Sequence, residues 1–282
     1  MTEKGGDAYD ATTHAVAPTG AGQWWRNRRA LGREDALYAR RPAFRVAVQR
    51  AQTAIGGALA AASPWSVSYS GGKDSLCLLA LVRDQAPGAP GVFVDSGAEF
   101  PETLAFVAAT PNVVTVHPTL TLLDMYQEVG DFGSEARTPD SHWAPGQVKQ
   151  TLIQEPLAWA NGEYSFAGNF TGLRAEESAG RSKLGAVRRG QAWRMASGVW
   201  RCEPLTHWTV SDVWAYIAER ELVYNPVYDR LAEMGVPRSQ WRVAPYAGGT
   251  ANHLGRWSVL RRGWPDLFNR FAARFPEVVN YT

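Results

Sequence analysis

Short apolar segments alternate with helical segments from residue 65 to residue 168. The apolar segments at 65–69, 92–95, 113–117 and 164–168 are the predicted strands, and helices are predicted at 74–84, 102–109, 120–128 and 147–160. Strands joined through helices form βαβ units, in which the strands lie parallel and the helices cover the sheet. The sequence therefore predicts an α/β fold with a mostly parallel sheet.

The regions outside this alternation have other compositions. Residues 1–20 are small and polar and are expected to form a flexible tail, whereas 21–62 contain a helical pattern from about Pro42 onward. We predict that residues 63–235 form the α/β domain and that 236–282 form a basic, aromatic C-terminal segment packed on it. The fold would thus carry helical extensions at both ends.

Composition excludes several classes of protein. The chain has no run of 18 apolar residues, and its first twenty residues lack the basic start and apolar stretch of a signal peptide. Its two cysteines, Cys77 and Cys202, cannot build a disulfide framework or a four-cysteine metal site. We expect a soluble, cytoplasmic protein without a membrane partner.

A glycine-rich turn connects the first predicted strand to the first predicted helix. Such a turn directs backbone N–H groups and the helix N-terminus at an anion, usually phosphate. A Walker A loop would need glycine at position 67 and serine or threonine at 74, where this chain has Val67 and Asp74. The alternative is an ordinary turn that caps the helix. The candidate phosphate-binding residues are Ser70, Gly71, Gly72, Lys73, Asp74 and Ser75.

Two further groups of polar residues follow later strands. Asp95 ends the second strand, at the edge where open α/β sheets bind ligands, although it could simply cap the next helix. Arg174 and Arg181 are seven residues apart, so they share one face if the segment is helical. Their guanidinium groups suit phosphate oxygens, and the alternative is a solvated charge run paired with Glu176 and Glu177.

These stretches together resemble a known family. SGGKDS at 70–75 is similar to the pyrophosphate-binding loop, or PP-loop, of the adenine nucleotide α-hydrolase superfamily. VDSGAEFPET at 94–103, GLRAEES at 172–178 with Arg181, and the segment 204–228 resemble three motifs of the phosphoadenosine phosphosulfate (PAPS) reductase family. The resemblance implies a doubly wound sheet, with helices on both faces, that binds an adenine nucleotide at its C-terminal edge. It adds Gly172 to the candidate nucleotide-binding residues.

The resemblance also implies a reaction. Enzymes of this superfamily that use ATP cut between the α- and β-phosphates, transfer AMP to an acceptor oxygen and release pyrophosphate. Lys73, Asp74 and Arg174 are the expected catalytic residues, since the transition state gathers charge on phosphate oxygens. Mg²⁺ bridging the phosphates is expected, with Asp74 or Asp95 helping to hold it. The scattered histidines His117, His142, His207 and His253 mark no dedicated metal site.

Departures from the family narrow the reaction. PAPS reductase carries a nucleophilic cysteine in a C-terminal Glu-Cys-Gly segment, and reductases of adenylyl sulfate add paired cysteines for an iron–sulfur cluster. This chain has neither, so we expect no such cluster and favour ATP pyrophosphatase or adenylyltransferase chemistry over PAPS or adenylyl sulfate reduction. Cys77 is expected to be buried. Cys202 is the one candidate reactive thiol, either structural or a sulfur carrier.

Two branches of the superfamily fit that chemistry: the small subunit of ATP sulfurylase, and the ATP pyrophosphatases of DNA phosphorothioation. Residues 24–50 hold eight arginines and 238–274 hold seven, interleaved with aromatic residues. Arginine with aromatics suits a nucleic-acid backbone and base stacking, although the tryptophans could equally lie in the core. We therefore prefer phosphorothioation, with DNA and a cysteine desulfurase or other sulfur donor as partners. The alternative of another class is a non-catalytic partner that senses ATP.

Overall fold

The computed structural model describes residues 29–129, 150–177, 190–244 and 255–282. Its centre is one six-stranded sheet with the order β3-β2-β1-β4-β6-β5. All neighbouring strands are parallel except β5 and β6, which are antiparallel. The strands are β1 (Trp65–Ser68), β2 (Gly91–Val94), β3 (Val113–Val116), β4 (Gly168–Phe170), β5 (Trp193–Arg194) and β6 (Trp200–Cys202). The order reverses between β1 and β4, so the sheet is doubly wound, as predicted.

Ten α-helices surround the sheet within the described residues. They are α1 (Arg33–Tyr38), α2 (Pro42–Ala61), α3 (Lys73–Gln85), α4 (Pro101–Ala109), α5 (Leu122–Val129), α6 (Glu155–Glu163), α7 (Val210–Glu219), α8 (Val227–Glu233), α9 (Arg256–Gly263) and α10 (Pro265–Arg274). A π-helical turn, Gln150–Gln154, precedes α6. Shorter 3₁₀ turns lie at Ala175–Glu177, Arg238–Gln240 and Pro276–Tyr281.

Each face of the sheet is covered by its own set of helices. Side chains alternate between faces along a strand, so Trp65 and Val67 of β1 point to one side, where they join the main core with residues of α2, α3 and α7. Val92 of β2 and Val116 of β3 point to the other side and pack with Ala160 of α6. The prediction of an α/β sheet with helices on both faces is confirmed.

The predicted elements agree with the structure in the first half of the chain and differ later. The strand expected at 164–168 exists but is placed too early, because α6 continues to Glu163 and Ser165 turns the chain with a φ of 53° before β4 begins at Gly168. The short strands β5 and β6 were not predicted. The tail at 1–20 lies outside the described residues, and so does the start of the segment 21–62. Within the described ranges, no helix is long and apolar enough to cross a bilayer.

Candidate functional site

The glycine-rich loop between β1 and α3 is closed on itself by a serine. The Ser75 hydroxyl donates to the Gly72 carbonyl at 3.0 Å and accepts from the Ser70 N–H at 3.1 Å. The Ser70 hydroxyl oxygen lies 3.1 Å from the Ser75 hydroxyl oxygen. Gly71 has a φ of 68°, in the left-handed region that favours glycine. The loop is therefore a compact turn whose N–H groups lie at the start of α3, as an anion-binding turn requires.

Asp74 lies between two buried cations at the first turn of α3. One carboxylate oxygen is 2.6 Å from Lys73 Nζ. The other is 2.5 Å from Arg174 Nε, an ionic contact not aligned as a hydrogen bond. Lys73 and Arg174 are only 7% and 5% exposed. Burial lowers the pKa of the Lys73 ammonium, while Asp74 acts in the opposite direction. The structure thus brings together the three residues predicted to be catalytic.

Arg174 also contacts two carboxylates of its own segment. Its guanidinium pairs with Glu176, and Nη2 lies 3.4 Å from Glu177. A Glu176 oxygen additionally accepts the N–H of Val210 at 2.8 Å, which ties it to the N-terminus of α7. The alternative of a charge run paired with Glu176 and Glu177 therefore describes part of this environment. Arg174 has no unpaired side in this arrangement, and an incoming phosphate would replace a carboxylate.

Gly172 explains how Arg174 reaches Asp74. A Cβ atom on Gly172 would lie 3.3 Å from the carbonyl carbon and oxygen of Asp74. That spacing is tight for any side chain, so glycine allows the chain after β4 to run directly against the start of α3. Two residues later, Arg174 meets the Asp74 carboxylate. Arg181 lies outside the described residues.

Three buried side chains, those of Tyr228, Asn225 and Thr103, support the loop through hydrogen bonds. This role was not predicted from the sequence. The Lys73 N–H donates to the Tyr228 hydroxyl at 2.9 Å. Asn225 donates to the Gly71 carbonyl at 3.2 Å and to the Thr103 hydroxyl at 2.9 Å. Both Asn225 and Thr103 are fully buried. Tyr228 and Asn225 belong to the 204–228 motif, and that motif is the sequence signal that could have identified them. Tyr228 is both core and loop support.

Asp95 lies at the carboxyl end of β2 without contacting the loop. One of its oxygens accepts the Gly97 N–H at 2.8 Å, and the other is 3.9 Å from His117 Nδ1. In the described part of the chain, no hydrogen bond or ion pair joins Asp95 to residues 70–75. The Asp95 charge contributes to the Glu99 pKa, which burial chiefly raises to about 6. Asp95 therefore shapes the turn that follows β2, and it does not cap α4, whose N-cap residue is Phe100.

The expected magnesium ligands fit the structure unequally. Both oxygens of Asp74 are already paired with cations, so Asp74 is poorly suited to hold a metal. Within the described ranges, one Asp95 oxygen has no hydrogen bond, and Asp95 is therefore the better candidate. Among the described residues, no group of three or more His, Cys, Asp or Glu side chains could hold a metal ion.

Comparison with known proteins decides the family. Residues 64–235, well over half of the chain, match the sequence model described as the phosphoadenosine phosphosulfate reductase domain. The chain belongs to this family. A PAPS reductase from Gloeobacter violaceus is 32% identical over 192 residues, which cover 66% of this chain and 74% of the relative. The Photobacterium profundum PAPS reductase is 30% identical over 59% of this chain and 64% of its own length.

Solved structures of the family show a weaker likeness. The PAPS reductase of Candida auris, determined as a phosphate complex, has 21% sequence identity to this chain and a TM-score of 0.45. The match covers 66% of this chain and 84% of the Candida auris protein. The matched region of the family ends at residue 235, so α9, α10 and the C-terminal turn lie beyond it.

Neither cysteine of this family member is poised as a nucleophile. Cys77 is buried, with Sγ 3.5 Å from the Val213 carbonyl, and burial raises its pKa. Cys202 is also buried, donates to the Gly190 carbonyl at 3.3 Å, and has a pKa raised to about 12, chiefly by burial and then by Glu203. A thiolate is disfavoured at both positions.

The aromatic residues of the C-terminal segment lie in the core, which corrects the expectation that they stack on bases. Trp241, Trp257, Trp264 and Phe268 are all at most 6% exposed. Several arginines of the segment make internal contacts: Arg238 pairs with Asp35, Arg274 with Asp124, and Arg270 donates to the Gly97 carbonyl. Trp24, Trp25 and Arg26 lie outside the described residues. A nucleic-acid surface here would depend on arginines rather than on stacking.

Proposed function

We propose that this chain binds an adenine nucleotide at the loop 70–75 and acts on the anhydride bond at the nucleotide's α-phosphate. The observation that carries the proposal is the buried Lys73–Asp74–Arg174 cluster at the N-terminus of α3. It lies where the strand order reverses between β1 and β4, the place at which open α/β sheets bind ligands.

The residues of the loop suit different parts of that task. The Gly71 N–H and the helix N-terminus favour a bound phosphate, and Tyr228 fixes the turn through the Lys73 N–H. The cationic side chains of Lys73 and Arg174 can exchange their carboxylate partners for phosphate oxygens. Glu177 is the weakest partner of Arg174, at 3.4 Å, and is the one we expect a phosphate to displace. Charge that develops on the leaving group would then be stabilised by groups already in place.

Magnesium bound with the phosphates would add positive charge at the same oxygens. Asp95 is the residue of this chain that we propose would help to hold it, because Asp74 is engaged by Lys73 and Arg174. This role does not require a direct contact between Asp95 and the loop 70–75.

For the reaction, we propose that an acceptor oxygen attacks the α-phosphate of ATP, so that AMP is joined to the acceptor and pyrophosphate leaves. A sulfur nucleophile from the donor would then displace AMP. The support is chemical: the thiols of Cys77 and Cys202 are buried and their pKa values are raised, so neither suits a thiol-dependent reduction. The DNA backbone phosphate is our preferred acceptor and sulfate the alternative. DNA contact and a sulfur-donor protein remain predictions from the sequence.

Reduction of PAPS is the second candidate, and the comparisons favour it. The curated relatives at 30–32% identity are named PAPS reductases. Either reaction would use the loop 70–75 in this proposal. The two reactions differ in their products, because ATP cleavage gives AMP and pyrophosphate whereas PAPS reduction gives sulfite and adenosine 3′,5′-bisphosphate.

One assay separates these reactions. The purified full chain is incubated with Mg²⁺ and either ATP or PAPS plus a dithiol reductant, and nucleotide products are resolved by chromatography. Water takes the place of the acceptor in this assay, so we expect free AMP and pyrophosphate from ATP, unchanged in a Cys202→Ala variant. Sulfite from PAPS, lost in that variant, would establish the reductase instead. Tight ATP binding without any product would establish the nucleotide-sensing alternative.

A further inference from the structure

The sheet face that carries Ser66 and Ser68 has two chemically different halves. Over β2 and β3 this face is apolar, and its valines pack with Ala160 of α6. Over β1, β4 and β6 the same face is polar, although much of it is buried. Buried polar groups in a sheet interior are retained when something polar pairs with them. The buried polar side chains of this half should therefore have polar partners, which the apolar half does not require.

Part of the polar half is satisfied internally. Asn169 of β4 donates to the Ser66 hydroxyl at 3.0 Å and accepts from the Ser68 hydroxyl at 2.7 Å. Ser66 is fully buried and Asn169 is 5% exposed. These three residues form a closed hydrogen-bonded group across the β1–β4 pair. Because these side chains are hydrogen-bonded to one another, they do not require a ligand.

Thr171 and Arg201 are not satisfied in this way. Arg201 of β6 lies opposite Asn169 in the parallel register, and Thr171 is two residues beyond Asn169, so both side chains leave the sheet on the polar face. Thr171 is 6% exposed, and its hydroxyl has no hydrogen-bond partner in the part of the chain that the structure describes. The Arg201 Nε is likewise buried without one. Among the described residues, the Arg201 side chain makes no hydrogen bond and no ion pair.

We propose that Arg201 and Thr171 form a binding subsite for a tetrahedral oxyanion, a sulfate or phosphate group. A guanidinium presents paired donors that match two oxygens of such a group, and the threonine hydroxyl can donate to a third. The strand spacing and register place the two Cα atoms about 8 Å apart, a gap that a long arginine and a small anion together can span.

The subsite lies next to the loop but uses none of its residues. Thr171 directly precedes Gly172, which runs against the backbone of Asp74. The oxyanion could therefore be a phosphate of the nucleotide that the loop holds or a separate small acceptor. The shared chemistry is the tetrahedral oxyanion, and the subsite does not depend on which reaction the loop catalyses.

Sulfate titration of the full-length protein tests the subsite, with binding followed by calorimetry and by the rise in melting temperature. These sulfate titrations use a Lys73→Ala background, which weakens anion binding at the loop as a second source of signal. We expect Arg201→Gln to weaken sulfate binding at least tenfold, Thr171→Val several-fold, and Arg201→Lys to an intermediate degree. The matched control is Arg194→Gln, whose guanidinium on β5 donates to the Gly198 carbonyl and should have no influence.

Stability without sulfate gives a second readout. Thr171→Val removes an unpartnered buried hydroxyl and should keep or raise the melting temperature, whereas Thr206→Val breaks a 2.6 Å hydrogen bond to the Glu203 carbonyl and should lower it. A Thr171→Val protein that is at least as stable yet binds sulfate less tightly supports the proposal.

Saturating ATP, added to protein with an intact loop, distinguishes the sources. Competition with sulfate at Arg201 assigns the subsite to a nucleotide phosphate, and independent binding assigns it to a separate oxyanion. The proposal is overturned if sulfate neither binds nor stabilises the protein, or if its binding is the same in the Arg201→Gln and Thr171→Val variants. Neither result bears on nucleotide binding at Lys73.

Discussion

At Asp74, one carboxylate is shared between two buried cations, since Lys73 lies 2.6 Å from one oxygen and Arg174 lies 2.5 Å from the other. Removing this carboxylate would leave two cations together where each is at most 7% exposed.

Asp74→Ala should therefore destabilise the fold as well as the site. Removing one partner of a buried ion pair typically costs about 3–5 kcal/mol of unfolding free energy. Asp84→Ala is the matched control, because Asp84 pairs with Arg220 where both side chains are about a third exposed or more, and such pairs contribute about 0–1 kcal/mol. Urea denaturation measures both. Equal losses in the two variants would show that the Asp74 cluster is not effectively buried.

Glu99 predicts a pH dependence. Its pKa is raised from 4.5 to about 6, so the folded state binds its proton more tightly than the unfolded state. The unfolding free energy should then fall as pH rises from 4.5 to 6, by at most about 2 kcal/mol from this group. Glu99→Gln removes the effect and should gain stability relative to the wild type at pH 7 but not at pH 4. A gain that is the same at both pH values would contradict it.

The residues of the site could be predicted from the sequence where chemistry and position coincide. Lys73 and Asp74 stand in a recognisable turn, and Arg174 follows a strand that ends at the same edge. Tyr228 could not be assigned in this way, because its contact with the Lys73 N–H joins residues 155 positions apart and depends on how α8 packs. The helical spacing of apolar residues predicts only that Tyr228 lies in the core, and it does not predict a contact with the loop.

Among the elements, the loop and the start of α8 act as a pair. Tyr228 holds the Lys73 N–H, whereas Tyr224, four residues earlier, donates to Asp229 at 2.6 Å. Both tyrosines are at most 5% exposed, so removing either hydroxyl deletes one hydrogen bond from a similar environment. The pair thus separates support of the loop from general stability.

Tyr228→Phe should weaken nucleotide binding about three- to tenfold, the equivalent of one hydrogen bond worth about 0.5–1.5 kcal/mol. Tyr224→Phe should lose similar stability and keep its affinity for nucleotide. Fluorescence or calorimetric titration gives the affinities, and thermal unfolding gives the stabilities. If both variants bind equally well, Tyr228 is a core residue only.

The elements themselves were predictable to different degrees. Strands β1 to β3 have clear apolar patterns bounded by turns and were placed within one or two residues. β5 and β6 contain two and three residues, too few for a period-two pattern to show. Their positions follow from pairing with β4, a tertiary contact that the local sequence does not encode.

At the scale of the whole molecule, the C-terminal helices α9 and α10 stabilise the edge of the sheet that carries Asp95. Trp264 precedes α10, donates to Glu102 at 2.8 Å and packs on Phe100 with ring centroids 4.1 Å apart. Arg230 of α8 lies 4.8 Å from the centre of the Trp264 ring. This region lies beyond the matched family domain, yet it supports the turn between β2 and α4.

Trp264→Ala should cost about 3–5 kcal/mol of unfolding free energy, as expected for a large aromatic removed from a packed interior. Trp159→Ala is the control, because Trp159 of α6 is 56% exposed and its loss should change stability by about 0.5 kcal/mol or less. Denaturant titration compares them. A small loss at Trp264 would mean that the C-terminal helices do not stabilise the domain.

The central claim, that the Lys73–Asp74–Arg174 cluster is the anion site of an adenine nucleotide enzyme, is tested most directly by nucleotide titration. ATP, PAPS and AMP are titrated into the wild-type protein, Lys73→Ala and the control Arg220→Gln. We predict one nucleotide bound per chain, with the dissociation constant raised at least tenfold in Lys73→Ala, as for the loss of about 1.5–3 kcal/mol from a charged contact, and unchanged in Arg220→Gln. Absence of nucleotide binding by the wild type, or equal affinity in Lys73→Ala, would contradict the account.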